Sequence, residues 1–279
     1  MQMIDKILGR FSRRRLAEVP VTPHLLEAAP EDRAKAGWVS PVYSRSQCLR
    51  VDMNAALENR CVAMLPDTPE AEPYKVLRTK ILHRTLDRNC NTMMVTSALP
   101  GEGKTLTAIN LGLTFARHFN HTVLLVDCDL RKPSIHRYLG LPGEKGLVDC
   151  LLDGVNISDL MIWPCIEKFT VISGGRPFGE SAELLGSPRM KEVLAEMKGR
   201  YPDRYVILDV PPVLSTADAL AFAPLADYII MVTQAGKTPL PDVQKALEML
   251  PKEKILGIVL NRHDEPQKEY YYSKKYPKK

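Results

Sequence analysis

Beyond residue 90 the chain alternates short apolar runs with longer stretches in which apolar residues recur at helical spacing. The short, β-branched runs predict strands at 92–97, 122–127, 169–173, 204–209, 227–232 and 255–260. The longer stretches predict helices near 104–118, 188–199, 216–223 and 240–250. Repeated strand–helix–strand units of this kind predict an α/β fold of three layers, in which helices flank a mostly parallel sheet.

Three further segments surround this core. Residues 74–86 carry apolar positions at helical spacing and predict a helix at its start. Residues 17–69 are predicted to form a linker and N-terminal extension, because much of the range is rich in Pro, Ala and charge without lasting periodicity. Residues 1–16 predict a basic amphipathic helix, which either contacts an anionic membrane through residues 3–16 or packs as a capping helix; both interpretations stay open.

Charge is concentrated at the two ends of the chain. The formal net charge is +5, yet residues 1–16 and 267–279 together contribute +8, which leaves −3 for the remainder. A basic nucleic-acid surface on the body is therefore not predicted.

The six cysteines form no CxxC pair and are expected to be reduced thiols. Because no run of about 18 apolar residues occurs, we expect a cytoplasmic protein, in peripheral contact with the inner face of the cell membrane if the N-terminal helix binds lipid.

The segment SALPGEGKT, residues 97–105, lies between a predicted strand and a predicted helix. Glycines let the backbone wrap around phosphate oxygens, Lys104 can reach the terminal phosphates, and the Thr105 hydroxyl can ligate Mg²⁺. Ala98 stands where the usual motif has its first glycine, but the strand–loop–helix context supports the motif. The sequence thus predicts a P-loop NTPase fold that binds ATP and Mg²⁺. The candidate nucleotide-binding residues are Pro100, Gly101, Glu102, Gly103, Lys104, Thr105 and Leu106.

Carboxylates follow two other predicted strands. VLLV leads into Asp127 and Asp129, and YVIL leads into Asp209. Ligands bind at the carboxyl edge of open α/β sheets, so these side chains are candidates for holding metal and orienting a nucleophile. The alternative is that they only cap loops.

With these segments in view, the chain resembles the bacterial tyrosine kinases, P-loop ATPases related to the partition and division-site ATPases. The resemblance covers residues 70–262 and rests on SALPGEGKT, VLLVDCDLRKP, YVILDVPP and the tail EYYYSKKY. It implies that Lys104 and Asp127 are catalytic, with Asp127 as base or orienter for a tyrosine hydroxyl. It also implies that Thr105, Asp129 and Asp209 hold Mg²⁺ and that Asn261 contacts the base.

The same resemblance implies a ring-like homo-oligomer. In the family a helix ahead of the core carries an E-x₂-R-x₂-R pattern, for which this chain has Glu72, Lys75 and Arg78. Lysine keeps the charge of the first arginine but loses its planar fork. Relatives are fused to, or paired with, a membrane protein that controls polysaccharide chain length. This chain resembles the separate type, so a membrane chain-length regulator is its expected activator.

Residues 263–279 are predicted to be a flexible, tyrosine-rich tail, because they hold clustered tyrosines and lysines and no aliphatic residue. Tyr270, Tyr271, Tyr272 and Tyr276 are the candidate phosphoacceptors, and each phosphate would add about −1.5 to −2 charges. The alternative is a basic aromatic contact segment. The predicted function is therefore autophosphorylation of this tail in exopolysaccharide or capsule synthesis. Two other hypotheses remain open, a partition-type ATPase that positions cargo and a nucleotide-gated interaction module.

Overall fold

The computed structural model describes residues 47–85, 90–118, 121–201 and 203–263. The N-terminal helix predicted at 1–16 and the tail tyrosines lie outside these ranges. Every bound that follows refers to the described part of the chain.

Eight strands of the described part of the chain form one sheet. Their order across it is β1-β4-β5-β3-β6-β2-β7-β8. All neighbouring strands pair in parallel except β4 and β5, which are antiparallel. The strands are β1 Gln47–Cys48, β2 Thr92–Ser97, β3 Thr122–Asp127, β4 Ile162–Trp163, β5 Phe169–Ile172, β6 Arg204–Asp209, β7 Tyr228–Gln234 and β8 Ile255–Asn261.

Helices cover both faces of the sheet. They are α1 Met53–Glu58, α2 Glu72–Thr85, α3 Lys104–Ala116, α4 Ile135–Leu139, α5 Leu147–Leu152, α6 Ser181–Leu185, α7 Pro188–Gly199, α8 Asp218–Phe222 and α9 Leu240–Glu248. Short 3₁₀ helices occupy Val62–Met64, Ile157–Leu160, Ala223–Leu225 and Lys252–Lys254. The predicted three-layer, mostly parallel α/β fold is confirmed.

Two hydrophobic cores lie on opposite faces of the sheet, because successive side chains along each strand point to alternate faces. Met94 and Leu124 face one cluster with residues from α5 to α9, whereas Met93 and Val123 face the other with residues from α1 to α4. Successive side chains in a strand point to opposite faces, so a central strand covered by helices on both sides buries the side chains of both its faces. Strand β2 is accordingly buried along its whole length.

The described part of the predicted extension, residues 47–69, packs against this body. Asp52 caps α1 by accepting the backbone N–H groups of Asn54 and Ala55 at 2.9 and 3.1 Å. Ala56 and Cys61 are fully buried in the α3-side core. Within the parts of the chain that are described, none of the helices combines the length and the apolar character needed to cross a bilayer.

The expectation of six reduced thiols is wrong for one pair, because the structure joins Cys48 to Cys165 in a disulfide. Strand β1 lies beside β4, with Cys48 in register with Trp163. Cys165 follows in a left-handed turn at φ +58°, which brings the two sulfurs together. The residues are 117 positions apart, so no local spacing indicated the pairing. Cys61, Cys90, Cys128 and Cys150 are free thiols.

Candidate active site

The site lies where β2, β6 and β3 end side by side. Asp127 is in register with Asp209 across the β3–β6 pair, and Val95 is in register with Asp209 across the β2–β6 pair. The loop that follows β2 carries the phosphate-loop sequence, and α3 begins at Lys104 directly after it. Parallel pairing thus brings together three segments that are far apart in the sequence.

Lys104 is at the centre of a charged cluster. Its ammonium group lies 3.0 Å from Asp129 Oδ2, 3.2 Å from Asp209 Oδ1 and 3.3 Å from Thr105 Oγ1. The Thr105 hydroxyl also donates to Asp209 Oδ2 at 2.6 Å. Burial alone would lower the pKa of Lys104, but Asp209 and Asp129 outweigh it and raise that pKa. The lysine is therefore a firmly held cation among three oxygen-bearing side chains.

The side-chain oxygens of Asp129, Asp209 and Thr105 are suitable ligands for a hard cation such as Mg²⁺. One positive group already sits against two carboxylates and a hydroxyl, which are the oxygen ligands that Mg²⁺ prefers. Among the described residues no three His, Cys, Asp or Glu side chains converge into a complete metal cage. Mg²⁺ at nucleotide sites is usually bound by one or two carboxylates together with phosphate oxygens and water, so a complete cage is not required.

Asp127 and Asp129 have different surroundings, although they are two residues apart. Asp127 is fully buried; its Oδ1 accepts the Asp129 N–H at 3.1 Å, and its Oδ2 accepts the N–H groups of Ser134 and Ile135 at 2.7 and 2.9 Å. Burial, followed by the nearby Asp209 charge, raises the pKa of Asp127 to about 7. Burial also raises the pKa of Asp209. Asp127 thus organises the loop that leads into α4, whereas Asp129 faces Lys104.

The carboxylate of Glu102 holds the phosphate loop together through two hydrogen bonds. Glu102 is buried, and its carboxylate accepts the Leu99 N–H at 2.7 Å and the hydroxyl of Thr238. Thr238 lies in the loop after β7, and its Oγ1 accepts the Gln234 N–H at 2.9 Å. Sequence reasoning missed Thr238, because nothing in the local pattern connects it with a loop 136 residues earlier.

Asn261, at the end of β8, lies against the same loop. Its side-chain amide donates to the Glu102 carbonyl at 2.8 Å, and its Oδ1 accepts the Arg262 N–H at 2.9 Å. A Cβ built on Gly103 would overlap Asn261 Nδ2, so the glycine permits this close approach. Of the remaining loop candidates, Pro100 and Gly101 are exposed, and Leu106 is half-buried against the α3-side core.

The three candidate interface residues on α2 do not share one environment. Lys75 pairs with Glu72 at 3.0 Å on the surface. Arg78 instead points inward, where its Nη1 donates to the Thr114 carbonyl of α3 at 3.0 Å, and burial lowers its pKa. The four tail tyrosines, Tyr270, Tyr271, Tyr272 and Tyr276, lie outside the described residues.

Comparison with known proteins identifies the family. A family profile described as an AAA domain matches residues 91–254. Tyrosine-protein kinase YwqD of Bacillus subtilis is 36% identical over 216 residues, which are 76% of this chain and 90% of that protein. This chain belongs to the bacterial tyrosine-protein kinases. Its enzyme class is therefore protein-tyrosine kinase, with the P-loop ATPase fold.

Two further comparisons agree with this assignment. The chimerical protein CapA2B2, a solved structure, is 27% identical with a TM-score of 0.68, and the match covers 84% of this chain and 99% of that one. The succinoglycan biosynthesis transport protein ExoP of Rhizobium meliloti is 30% identical, and the match covers 74% of this chain but only 26% of that longer protein. Relatives of this kinase family thus include a protein named for polysaccharide biosynthesis.

Proposed function

We propose that this kinase transfers the γ-phosphate of ATP to Tyr270, Tyr271, Tyr272 and Tyr276 of its own tail, between subunits, and thereby regulates exopolysaccharide or capsule synthesis or export. The observation that carries the proposal is the convergence of Lys104, Thr105, Asp129 and Asp209 at the carboxyl edge of the sheet. Phosphoryl transfer relies mainly on positioning and charge stabilisation, and this arrangement can supply both.

In the proposed mechanism each side chain has a separate task. Thr105, Asp129 and Asp209 would hold Mg²⁺, which would screen the phosphate charge and polarise the transferring group. Lys104 neutralises these carboxylates in the structure; with nucleotide in place it is free to stabilise the terminal phosphate. The pKa of Asp127, raised to about 7, suits a group that orients or accepts the proton of the tyrosine hydroxyl.

The phosphate loop and the end of β8 supply the nucleotide contacts that do not involve Mg²⁺. The backbone from Pro100 to Leu106 surrounds the phosphates, with the turn at Gly103 leading into the α3 N-terminus. We assign base contact to Asn261, because its side chain already lies at the rim of this loop.

Assembly and membrane contact complete the proposal. Glu72 and Lys75, on the outer face of α2, would contact a neighbouring subunit, with Arg78 fixing α2 on its own body. A membrane protein that controls polysaccharide chain length is the proposed activator, and residues 3–16 are a proposed peripheral contact with the inner face of the membrane.

The first test maps phosphotyrosine by mass spectrometry after incubation with ATP and Mg²⁺. A second mixes an inactive, tail-intact Lys104→Met chain with an active chain whose four tail tyrosines are Phe. We expect phosphate on the Lys104→Met chain, because its tail can receive phosphate only from the other subunit. Lys104→Met alone is the control and should gain none. An unphosphorylated tail in the mixture would contradict transfer between subunits.

The same experiment separates the alternatives. ATP hydrolysis without phosphotyrosine would favour a partition-type switch, and nucleotide binding without turnover would favour an interaction module. Phosphorylated and unphosphorylated protein are then compared by light scattering. We expect phosphorylation to loosen the oligomer, because each phosphate adds about −1.5 to −2 charges to a basic tail.

A further inference from the structure

In addition to Asp127 and Asp209, a third fully buried carboxylate, Asp218, lies near the carboxyl edge and has no role in the mechanism above. It begins α8 and is 0% exposed. Its Oδ2 accepts Arg131 Nε at 3.0 Å, and its Oδ1 accepts the Ser181 hydroxyl at 2.7 Å. A buried carboxylate is costly unless it is paired, and here each of its oxygens has a side-chain partner.

These three residues come from three different connections of the sheet. Arg131 lies in the loop after β3, Ser181 begins α6 in the segment after β5, and Asp218 follows β6. The loop after β3 has a second link to the segment after β5, because the Phe178 N–H donates to the Leu130 carbonyl at 2.8 Å. The buried carboxylate therefore fastens together the ends of three neighbouring strands.

Arg131 is also rigidly connected to Asp129. The Lys132 N–H donates to both the side-chain Oδ1 and the backbone carbonyl of Asp129, each at 3.1 Å, which closes a tight turn around Arg131. The Asp218 contact that anchors the Arg131 side chain thus lies on the same turn that carries Asp129. Asp129 in turn holds the Lys104 ammonium at 3.0 Å.

We propose that Asp218 is a positioning residue that acts through Arg131 to hold Asp129 at the phosphoryl-transfer site, with Ser181 fixing the orientation of the Asp218 carboxylate. The inference builds on the proposed function, but it concerns the position of a candidate Mg²⁺ ligand. It can therefore be tested by Mg²⁺-dependent nucleotide binding as well as by activity.

The decisive variant is Asp218→Asn, which keeps the shape of the side chain and removes its charge. We expect ATP turnover to fall about 10- to 100-fold, since displacing a catalytic group by about 1 Å can cost about 100-fold. We also expect the Mg²⁺ concentration for half-maximal binding of a fluorescent ATP analogue to rise at least about threefold. Binding of the analogue without Mg²⁺ should be unchanged.

Asp227→Asn is the matched control. Asp227 pairs with Lys198 at 2.7 Å and accepts the N–H groups of Asn91 and Thr92, both at 3.0 Å, but it precedes β7 and so lies at the opposite edge of the sheet. Its loss should lower the melting temperature without shifting the Mg²⁺ requirement. An equal Mg²⁺ shift in both variants would overturn the proposal, because it would indicate general destabilisation.

Two further variants keep the test decisive if Asp218→Asn folds poorly. Ser181→Ala removes one hydrogen bond and should give a smaller shift in the same direction. Arg131→Ala should reproduce the Asp218→Asn effect, and the double variant should be no worse than either single one, because both break one connection. Additive losses, or an unshifted Mg²⁺ requirement in Ser181→Ala, would refute the proposal. Absence of phosphotyrosine in the wild type would refute only the kinase function.

Discussion

Two phosphate-loop glycines have positive φ angles but different surroundings. Gly101 has φ +82°, and apart from its two chain neighbours no residue has a heavy atom within 4 Å of the position that a Cβ would take there. Gly103 has φ +94°, and its Cβ position lies against Asn261 Nδ2. An L-residue in this region costs about 1–2 kcal/mol from conformation alone. Only at Gly103 is a steric overlap added to that cost.

We therefore predict that Gly101→Ala lowers the free energy of unfolding by about 1–2 kcal/mol and that Gly103→Ala lowers it by clearly more. Urea denaturation of the nucleotide-free protein measures both. Adding Asn261→Ala removes the overlapping atom, so the double variant should be less destabilised than the sum of its single changes. Equal effects of the two glycine variants would contradict the close approach of Asn261.

At the residue scale the sequence predicted the chemistry but not the supporting contacts. Lys104, Thr105, Asp129 and Asp209 do converge, because each belongs to a recognisable strand–loop segment. The partners Thr238 and Asp218 were missed. Each acts on a residue more than 80 positions away, through contacts that only the strand order creates.

At the scale of elements, the three candidate interface residues of α2 divide into one that serves the fold and two on the helix surface. Arg78 donates to the Thr114 carbonyl of α3, whereas Lys75 pairs with Glu72 in its own helix. We predict that Arg78→Ala lowers the free energy of unfolding of the monomer by about 1–3 kcal/mol, because it leaves a buried acceptor unsatisfied. Lys75→Ala should change it by less than about 0.5 kcal/mol.

Urea denaturation at low protein concentration measures this difference, and light scattering follows assembly. If Lys75→Ala weakens the oligomer without changing monomer stability, the outer face of α2 is an assembly surface. If Arg78→Ala leaves monomer stability unchanged, the inward contact with α3 is wrong.

The connection between α3 and β3 contains two histidines that resist protonation. Their rings stack at 4.9 Å, and His121 also meets the Tyr205 ring edge-on at 5.0 Å. Burial, followed by the charges of His121, Arg78 and Lys168, lowers the pKa of His118 to about 4. Burial lowers the pKa of His121 as well.

An unfolded histidine has a pKa near 6.5. Between about pH 6.5 and 4, His118 is therefore protonated in the unfolded chain but stays neutral in the folded protein, and the lowered pKa of His121 acts in the same direction. The free energy of unfolding should therefore fall as the pH falls through this range. Melting temperatures at pH 7.5 and 5.0 measure the fall, and His118→Gln should reduce it. An unchanged difference in that variant would show that other groups dominate.

The elements also show which parts of a fold a sequence reveals. The strands predicted at 92–97, 122–127 and 204–209 have those bounds in the structure, because each has a short central apolar run bounded by polar residues, a pattern typical of a buried strand. Strands β1 and β4, of two residues each, were missed, as were α1, α4, α5 and α6, which have five or six. Such elements are too short to show a period, and tertiary contacts specify them.

At the scale of the whole molecule, the disulfide anchors one end of the sheet. Edge strand β1 pairs with β4 over only two residues, and Cys48–Cys165 joins the segment before α1 to the turn after β4. The active site instead lies at β2, β3 and β6, separated from this edge by β5. Redox state should therefore change stability without changing the nucleotide site.

We predict that oxidised protein is more stable than reduced protein by about 4.7 kcal/mol, the value expected for closing a loop of roughly 100 residues. Urea denaturation with and without reductant measures this difference. Cys48→Ser and Cys165→Ser should remove the dependence on reductant, whereas Cys90→Ser, which changes a half-buried free thiol, should retain it. The affinity for a fluorescent ATP analogue should be the same in all three variants, since none alters the site.

Peptide mapping under non-reducing conditions identifies the linked pair directly. Six free thiols in protein purified without reductant would contradict the disulfide, and a reductant effect that persists in Cys48→Ser would place the stabilisation elsewhere.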